Sequence, residues 1–284
     1  MLDVDGVRRI TLDVETFKTR NPRVIDALRR VEAERTAPKN KSKADQERWN
    51  TLDAIEERTQ AAVEESATDI LLAEPLAICW IAEGEEYTAD LMRNEEAEQL
   101  NLLSEVWDSQ AAAETIWAGH NVSFDLGVVL NRWRHHGITP PRHFPKFVNN
   151  RWRGRVWDSM MRTPSKNPLG FVSLDLVTAS YGLDAKQAVE WDGAPMTGAR
   201  VGAAFEAGAF DVIIAYCLDD CRVQDQLYLR QTANETWGHF DSRADIADQI
   251  AEIQNSPDLN EGSKAIAILT LLENTGMLPV KEAA

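Results

Sequence analysis

The stretch RITLDVETF, residues 9–17, places two carboxylates, Asp13 and Glu15, in what otherwise reads as a buried β-strand. Strand side chains alternate in direction, so Ile10, Leu12 and Val14 share one face while Thr11, Asp13 and Glu15 share the other. Two like charges so placed repel unless a cation lies between them or one takes a proton. Two readings follow: an edge strand with a solvated acidic face, or a site for a divalent metal ion.

The surrounding chain has 284 residues and is 44% hydrophobic, enough for a packed core in one large or two modest domains. The longest apolar run, TDILLAEPLAICWIAEGEE (68–86), is broken by Glu74 and Pro75 and is too short to span a bilayer. The N-terminus carries no basic-then-apolar leader pattern, so the expectation is a cytoplasmic protein without a membrane partner. Cys79, Cys217 and Cys221 are an odd number without metal-ligand spacing, which fits core positions in a reducing compartment.

A net charge of −16 argues against a nucleic-acid partner until its distribution is considered. Between Leu126 and Trp157 there is no acid against seven cations, Arg132, Arg134, Arg142, Lys146, Arg151, Arg153 and Arg155, interleaved with Trp133, Phe144, Phe147, Trp152 and Trp157. Cations along a backbone with rings that stack on bases suit a single-stranded nucleic acid. A solvated basic loop with some rings in the core is the alternative, and Trp133 fits a helix face in either case.

Along the chain, residues 7–15 read as the first strand. Residues 21–67 are charged helix formers interrupted near Pro38, Asn40 and Ser42, hence a helical hairpin inserted after that strand. Residues 18–48 carry +5 and residues 49–70 carry −5, as expected of two helices held by complementary charge or of an arm that binds a partner. LAICWIA and EYTADLM form a hairpin about EGE. A helix over 95–113, a strand TIWAG, a helix over 123–136 and a helix over 173–181 capped by Ser173 follow. The next helix, 209–232, carries Ile213, Tyr216, Asp220, Val223 and Leu227 along one face. That stripe leaves Asp219 and Asp225 solvated and turns Cys217 and Cys221 away from the site, with Asp211 as the helix cap. Two amphipathic helices close the chain, marked by Ile246, Ile250 and Ile253 and then by Ile266, Leu269 and Leu272. Strands alternating with helices give an α/β layer fold.

Two more acids join the first pair. In AGHNVSFDLGVVL, Asp125 falls in the first turn of a helix that follows a strand, where open α/β sheets place their chemistry, although an acid there also offsets the helix dipole. In YCLDD, Tyr216 and Asp220 share a helix face about 6 Å apart along the axis. An Asp on an apolar stripe needs a cation or a donor. Asp158, at the end of a predicted strand, reads as a supporting or a turn-forming residue, and His120 as a packing residue at a strand end.

Together, D-x-E in LDVET, N-x-x-F-D in HNVSFD and Y-x-x-x-D in YCLDD resemble, in order, the three motifs of the DEDDy 3′–5′ exonucleases. The resemblance is closest to the predicted exonucleases related to the proofreading domain of family B DNA polymerases, through WDSMM, VSLDLVTASYGL and GAFDVIIAYCLDDCRVQDQLYLR. The sister class has His five residues before the last Asp, where this chain has Ala215. The resemblance covers about residues 7–232, apart from the insertion. It implies a ribonuclease H-like mixed five-stranded sheet flanked by helices, forming an exonuclease domain over 1–235 with an 18–70 insertion and a helical extension over 236–284.

The resemblance further implies two Mg2+ or Mn2+ ions held by Asp13, Glu15, Asp125 and Asp220, with Tyr216 orienting the attacking water. Thr16, Asn121 and Phe124 would contact substrate. Hard ions want oxygen ligands, which carboxylates supply. The implied reaction is removal of nucleotides from the 3′ end of single-stranded DNA. Trimming of RNA, or a nucleic-acid-binding scaffold recruiting a protein partner through the insertion or the C-terminal helices, are the alternatives.

Overall fold

The structure, a computed structural model, describes residues 8–40, 42–145, 155–162, 172–183, 189–232 and 254. Met1–Arg230 forms one compact unit and Gln231–Ala284 another. Every element below belongs to the first, save the last two residues of its final helix. Apart from residue 254, the predicted C-terminal helices lie outside the described residues, as do Lys146, Phe147, Arg151, Trp152 and Arg153.

A five-stranded mixed sheet forms the centre, made of β1 (Arg9–Phe17), β2 (Glu74–Ala82), β3 (Glu85–Asp90), β4 (Ile116–Gly119) and β5 (Val156–Asp158) in the order β3-β2-β1-β4-β5. β1 is therefore the middle strand rather than an edge. It runs antiparallel to β2 from Ile10 to Phe17, with a bulge between Glu15 and Thr16, and parallel to β4 from Arg9 to Thr11. β2 and β3 join through Glu83 and Gly84, both at positive φ, the geometry that lets a two-residue turn follow the twist of a hairpin.

One face of the sheet is covered by α4 (Glu96–Gln110) and α5 (Val122–His136). Ile10, Leu12 and Val14 pack there with Leu100, Leu103, Trp107, Val122, Leu126 and Trp133, as the alternation of β1 requires. Trp107 meets Trp117 and Trp133 edge-on, with ring centroids 4.9 and 5.7 Å apart. Phe144 joins them, and Trp157 packs against Tyr228. Trp133, Phe144 and Trp157 are thus core residues with no face left for bases, which removes three rings from the predicted stacking segment. One of its cations is engaged as well: Arg132 makes a bidentate pair with Glu96, at 2.5 and 2.6 Å.

The opposite face carries α9 (Phe210–Thr232) and, near the end of β1, α8 (Val201–Glu206). Phe17, Leu76 and Ala77 pack there against Val201, Ala204, Ile213 and Tyr216. The predicted stripe of α9 is buried throughout, but the buried surface is wider than predicted. Asp219 is buried, and Asp225 accepts from the buried Arg9 at 2.9 Å and from Thr11 Oγ1 at 2.8 Å, so neither is a solvated acid. Contacts of α9 with the sheet run from Ile213 to Asp225, so the helix buries more than one stripe. Asp211 lies inside the first turn, exposed and paired with Arg93 at 2.6 Å, instead of capping the helix. The short α6 (Ser159–Arg162), α7 (Leu174–Ser180, capped by Ser173) and a small hairpin, β6 (Glu190–Trp191) with β7 (Ala194–Pro195), complete the unit.

The insertion contains three helices rather than two: α1 (Pro22–Glu34), α2 (Lys43–Arg48) and α3 (Leu52–Glu65). Ser42 caps α2 inside the segment predicted as a plain turn. The charge complementarity takes the form of ion pairs onto α3, Arg29 to Glu56, Arg48 to Glu57 and Lys18 to Glu64, together with Arg58 of α3 to Glu32 of α1. At its root, Thr19 N–H donates to Ser66 Oγ at 2.8 Å and Asn131 Nδ2 to the Ile70 carbonyl at 3.1 Å, fastening the insertion to β1 and α5.

Candidate active site

The site begins where β1 loses a neighbour. β4 pairs with β1 only as far as Thr11, then ends at Gly119 as the chain turns into α5. The half of β1 that carries Asp13 and Glu15 therefore has the start of a helix on that side in place of a strand. Gly119 makes the close approach possible: a Cβ there would lie 3.0 Å from the Leu12 carbonyl oxygen and 2.8 Å from Val122 Cβ. Asn121 follows in the left-handed region, φ 59° and ψ 30°, which Asn tolerates better than most residues. Its N–H donates to Asp158 Oδ1 at 2.9 Å, and the same oxygen accepts from Met160 N–H at 3.1 Å. Asp158 thus ties the β4–α5 turn to the β5–α6 turn, the turn-forming one of the two roles the sequence left open.

That turn sets Asp125 against β1. The Asp125 carboxyl is pushed well above its usual range, first by burial and then by the charge of Asp13, with Asp158 adding to it; its own backbone amide and that of Val14 act the other way. Asp13 and Asp125 are therefore close enough to oppose each other's ionisation. His120, just before the turn, has Nδ1 at 2.8 Å from Ser159 Oγ and Nε2 at 2.6 Å from the Val172 carbonyl, a packing role as expected.

From the other face, α9 is fastened to the same strand residue. The Cys217 thiol donates to the Asp13 carbonyl oxygen at 3.4 Å, and Gln224 Nε2 donates to Asp13 Oδ1 at 3.0 Å. Tyr216 and Asp220 lie buried on this helix beside them. Among the described residues, possible ligand atoms of Asp13, Glu15 and Cys217 lie within 4.8 Å of one another, and Asp125 and Asp220 stand outside that group. Cys217 accordingly faces the site, contrary to the expectation that it turns away. Burial raises its thiol well above the usual value, so at neutral pH it keeps its proton and donates it to the carbonyl.

The donor set fits hard divalent ions. Asp13 and Glu15 of β1 lie together with Cys217 of α9, and Asp125 of α5 is held from easy ionisation first by burial and then by the charge of Asp13, an electrostatic situation that a cation relieves. The predicted substrate contacts are dispersed around it. Thr16 Oγ1 donates to the Ala67 carbonyl at 2.7 Å, so its side chain anchors the insertion, while Phe124 is half-buried on the main core beside the half-buried Asn121.

Gln224 and Cys217 were not marked as site residues by sequence. Gln224 carried a usable signal, since it follows Asp220 by one helical turn and shares its face. Comparison with known proteins gave no match to any family profile, curated protein or solved structure.

Proposed function

We propose that the chain is a metal-dependent 3′–5′ exonuclease acting on the free 3′ end of single-stranded DNA. The observation that carries this reading is the burial of Asp125 beside Asp13 at the open half of β1, with the helix bearing Tyr216 and Asp220 fastened to that same residue. The sheet order, with β2 antiparallel and β4 and β5 parallel to β1, is compatible with the ribonuclease H-like arrangement that such nucleases use. The ordered D-x-E, N-x-x-F-D and Y-x-x-x-D motifs supply the rest of the support.

In this reading Asp13, Glu15 and Asp220 would hold one divalent ion, and Asp125 would serve a second. Bound there, such ions supply the Lewis acidity that makes water a nucleophile and steadies a leaving oxygen at phosphorus. The protein's own part would be to hold the acids in place, and the Cys217 and Gln224 contacts to Asp13 and the Asp158 contact to the β4–α5 turn support that role. Tyr216, one helical turn before Asp220, would offer a phenol to orient the attacking water, and Asn121, at the N-cap of the helix that carries Asp125, would contact the substrate.

The test compares 5′-labelled single-stranded DNA, duplex DNA and RNA with Mg2+, Mn2+ or chelator, for the native chain and Asp13→Ala. Shortening from the 3′ end that requires the metal and vanishes in the variant supports the proposal. Equal activity in Asp13→Ala would falsify it, and activity confined to RNA would reassign the substrate.

A further inference from the structure

The Gln224 side chain is 1% exposed and stands between two parts of the site that come from different elements. Its Oε1 accepts from the His120 backbone N–H at 3.2 Å, and its Nε2 donates to Asp13 Oδ1 at 3.0 Å. The two contacts define the orientation of the amide. Rotated by half a turn, it would place an oxygen against a carboxylate and an NH2 against an N–H, repulsive on both sides. His120 directly precedes Asn121 and the turn into α5, so one carboxamide links α9, β1 and the β4–α5 turn at the point where their acids meet.

We infer that Gln224 is a positioning residue for the metal site proposed above, on which this inference rests: it sets the Asp13 carboxylate against the turn that delivers Asp125. A neutral donor suits this task. A Lys or Arg in its place would neutralise Asp13 and compete with a bound cation, whereas an amide fixes the orientation of the oxygen and leaves its charge intact.

The experiment is calorimetric titration of Mn2+ into the intact chain, into Gln224→Leu and into Val223→Ala, with thermal unfolding of all three. Gln224→Leu keeps the bulk of the side chain and removes both hydrogen bonds; Val223→Ala loosens the neighbouring buried position on α9 without touching Asp13. The expected result is Mn2+ binding weakened by about 10- to 100-fold in Gln224→Leu, with native affinity retained by Val223→Ala at a comparable loss of unfolding temperature. Native affinity in Gln224→Leu overturns the inference alone, as does an equal loss in Val223→Ala, which would reduce the effect to general loosening. Absence of Mn2+ binding by the unsubstituted chain overturns the metal-site reading and this inference with it.

Discussion

The thiol of Cys217 donates to the carbonyl oxygen of Asp13 across 3.4 Å, fastening α9 to the central strand at the residue that stands beside Glu15 and whose charge acts on Asp125. The neighbouring thiols share its environment: Cys79, Cys217 and Cys221 are all fully buried and free. Burial pushes all three upward, Cys221 to about 12. A thiol is reactive as thiolate and when reached by the reagent, and here neither condition holds. The folded protein should show no thiol reactive toward a disulfide reagent at mildly alkaline pH, and three once unfolded in guanidinium. Rapid labelling of the folded chain would contradict this packing.

Asp125 makes stability depend on pH in the sense opposite to most carboxylates. Its folded form holds a proton more tightly than the unfolded chain, so stability is greatest at low pH, falls as pH rises above the ordinary value of 3.8, and is lowest once the folded group has ionised. Asp125→Asn removes that penalty. In chelator, the variant should unfold at a higher temperature than the native chain at about pH 7 and lose this advantage below about pH 4. A lower unfolding temperature for the variant at neutral pH would mean that the acid is not destabilised where it lies.

Gly119 is confined by backbone as well as side chain. Gly119→Ala brings a methyl against the Leu12 carbonyl and Val122, and should cost about 1–3 kcal/mol in urea unfolding. Because the shift falls on the turn bearing Asn121 and Asp125, the proposed nuclease activity should drop as well. Gly198→Ala, where an added methyl meets nothing within 4 Å, should leave both within error of the native chain.

The insertion depends on Arg58. Its guanidinium donates to Glu32 Oε2 and to the carbonyls of Glu32, Trp49 and Ala54, at 2.8 to 3.1 Å, and lies 4.1 Å from the Trp49 ring centroid. Arg58→Ala should loosen α1 from α3 by about 2 kcal/mol. Limited proteolysis should then cut between residues 35 and 51 faster, while the sheet unfolds at an unchanged temperature. Unaltered cleavage would show that the other ion pairs hold the insertion by themselves.

What was legible in the sequence follows the strength of its periodic patterns. β1, α4, α5, α7 and α9 carry clear alternation or helical stripes, α7 with its Ser173 cap, and they form close to the expected bounds. The small β6–β7 hairpin and α8 are too short to carry a period, and α2 was not separated from the helix that follows it. Asp225 was misread because a stripe from sequence records one face of a helix, whereas its partner Arg9 lies 216 residues away on β1. Trp133, Phe144 and Trp157 were read partly as stacking platforms because composition cannot separate a ring on the surface from one in the core; only the topology of β4, β5 and α5 assigns them inward. The acids of the candidate site were legible because their spacing is local, two on one strand face and a Tyr and an Asp on one helix face. The residues that hold them, Gln224 and Asp158, act through contacts between elements, which no local pattern encodes.

The central claim is that these carboxylates gather to hold divalent ions. Anomalous diffraction at the manganese edge, from crystals soaked in Mn2+, tests it most directly. The account predicts anomalous density among the oxygens of Asp13, Glu15, Asp125 and Asp220, absent from crystals of Asp13→Ala. Fully soaked crystals with no ion among those oxygens, or with the carboxylates pointing apart, would contradict it.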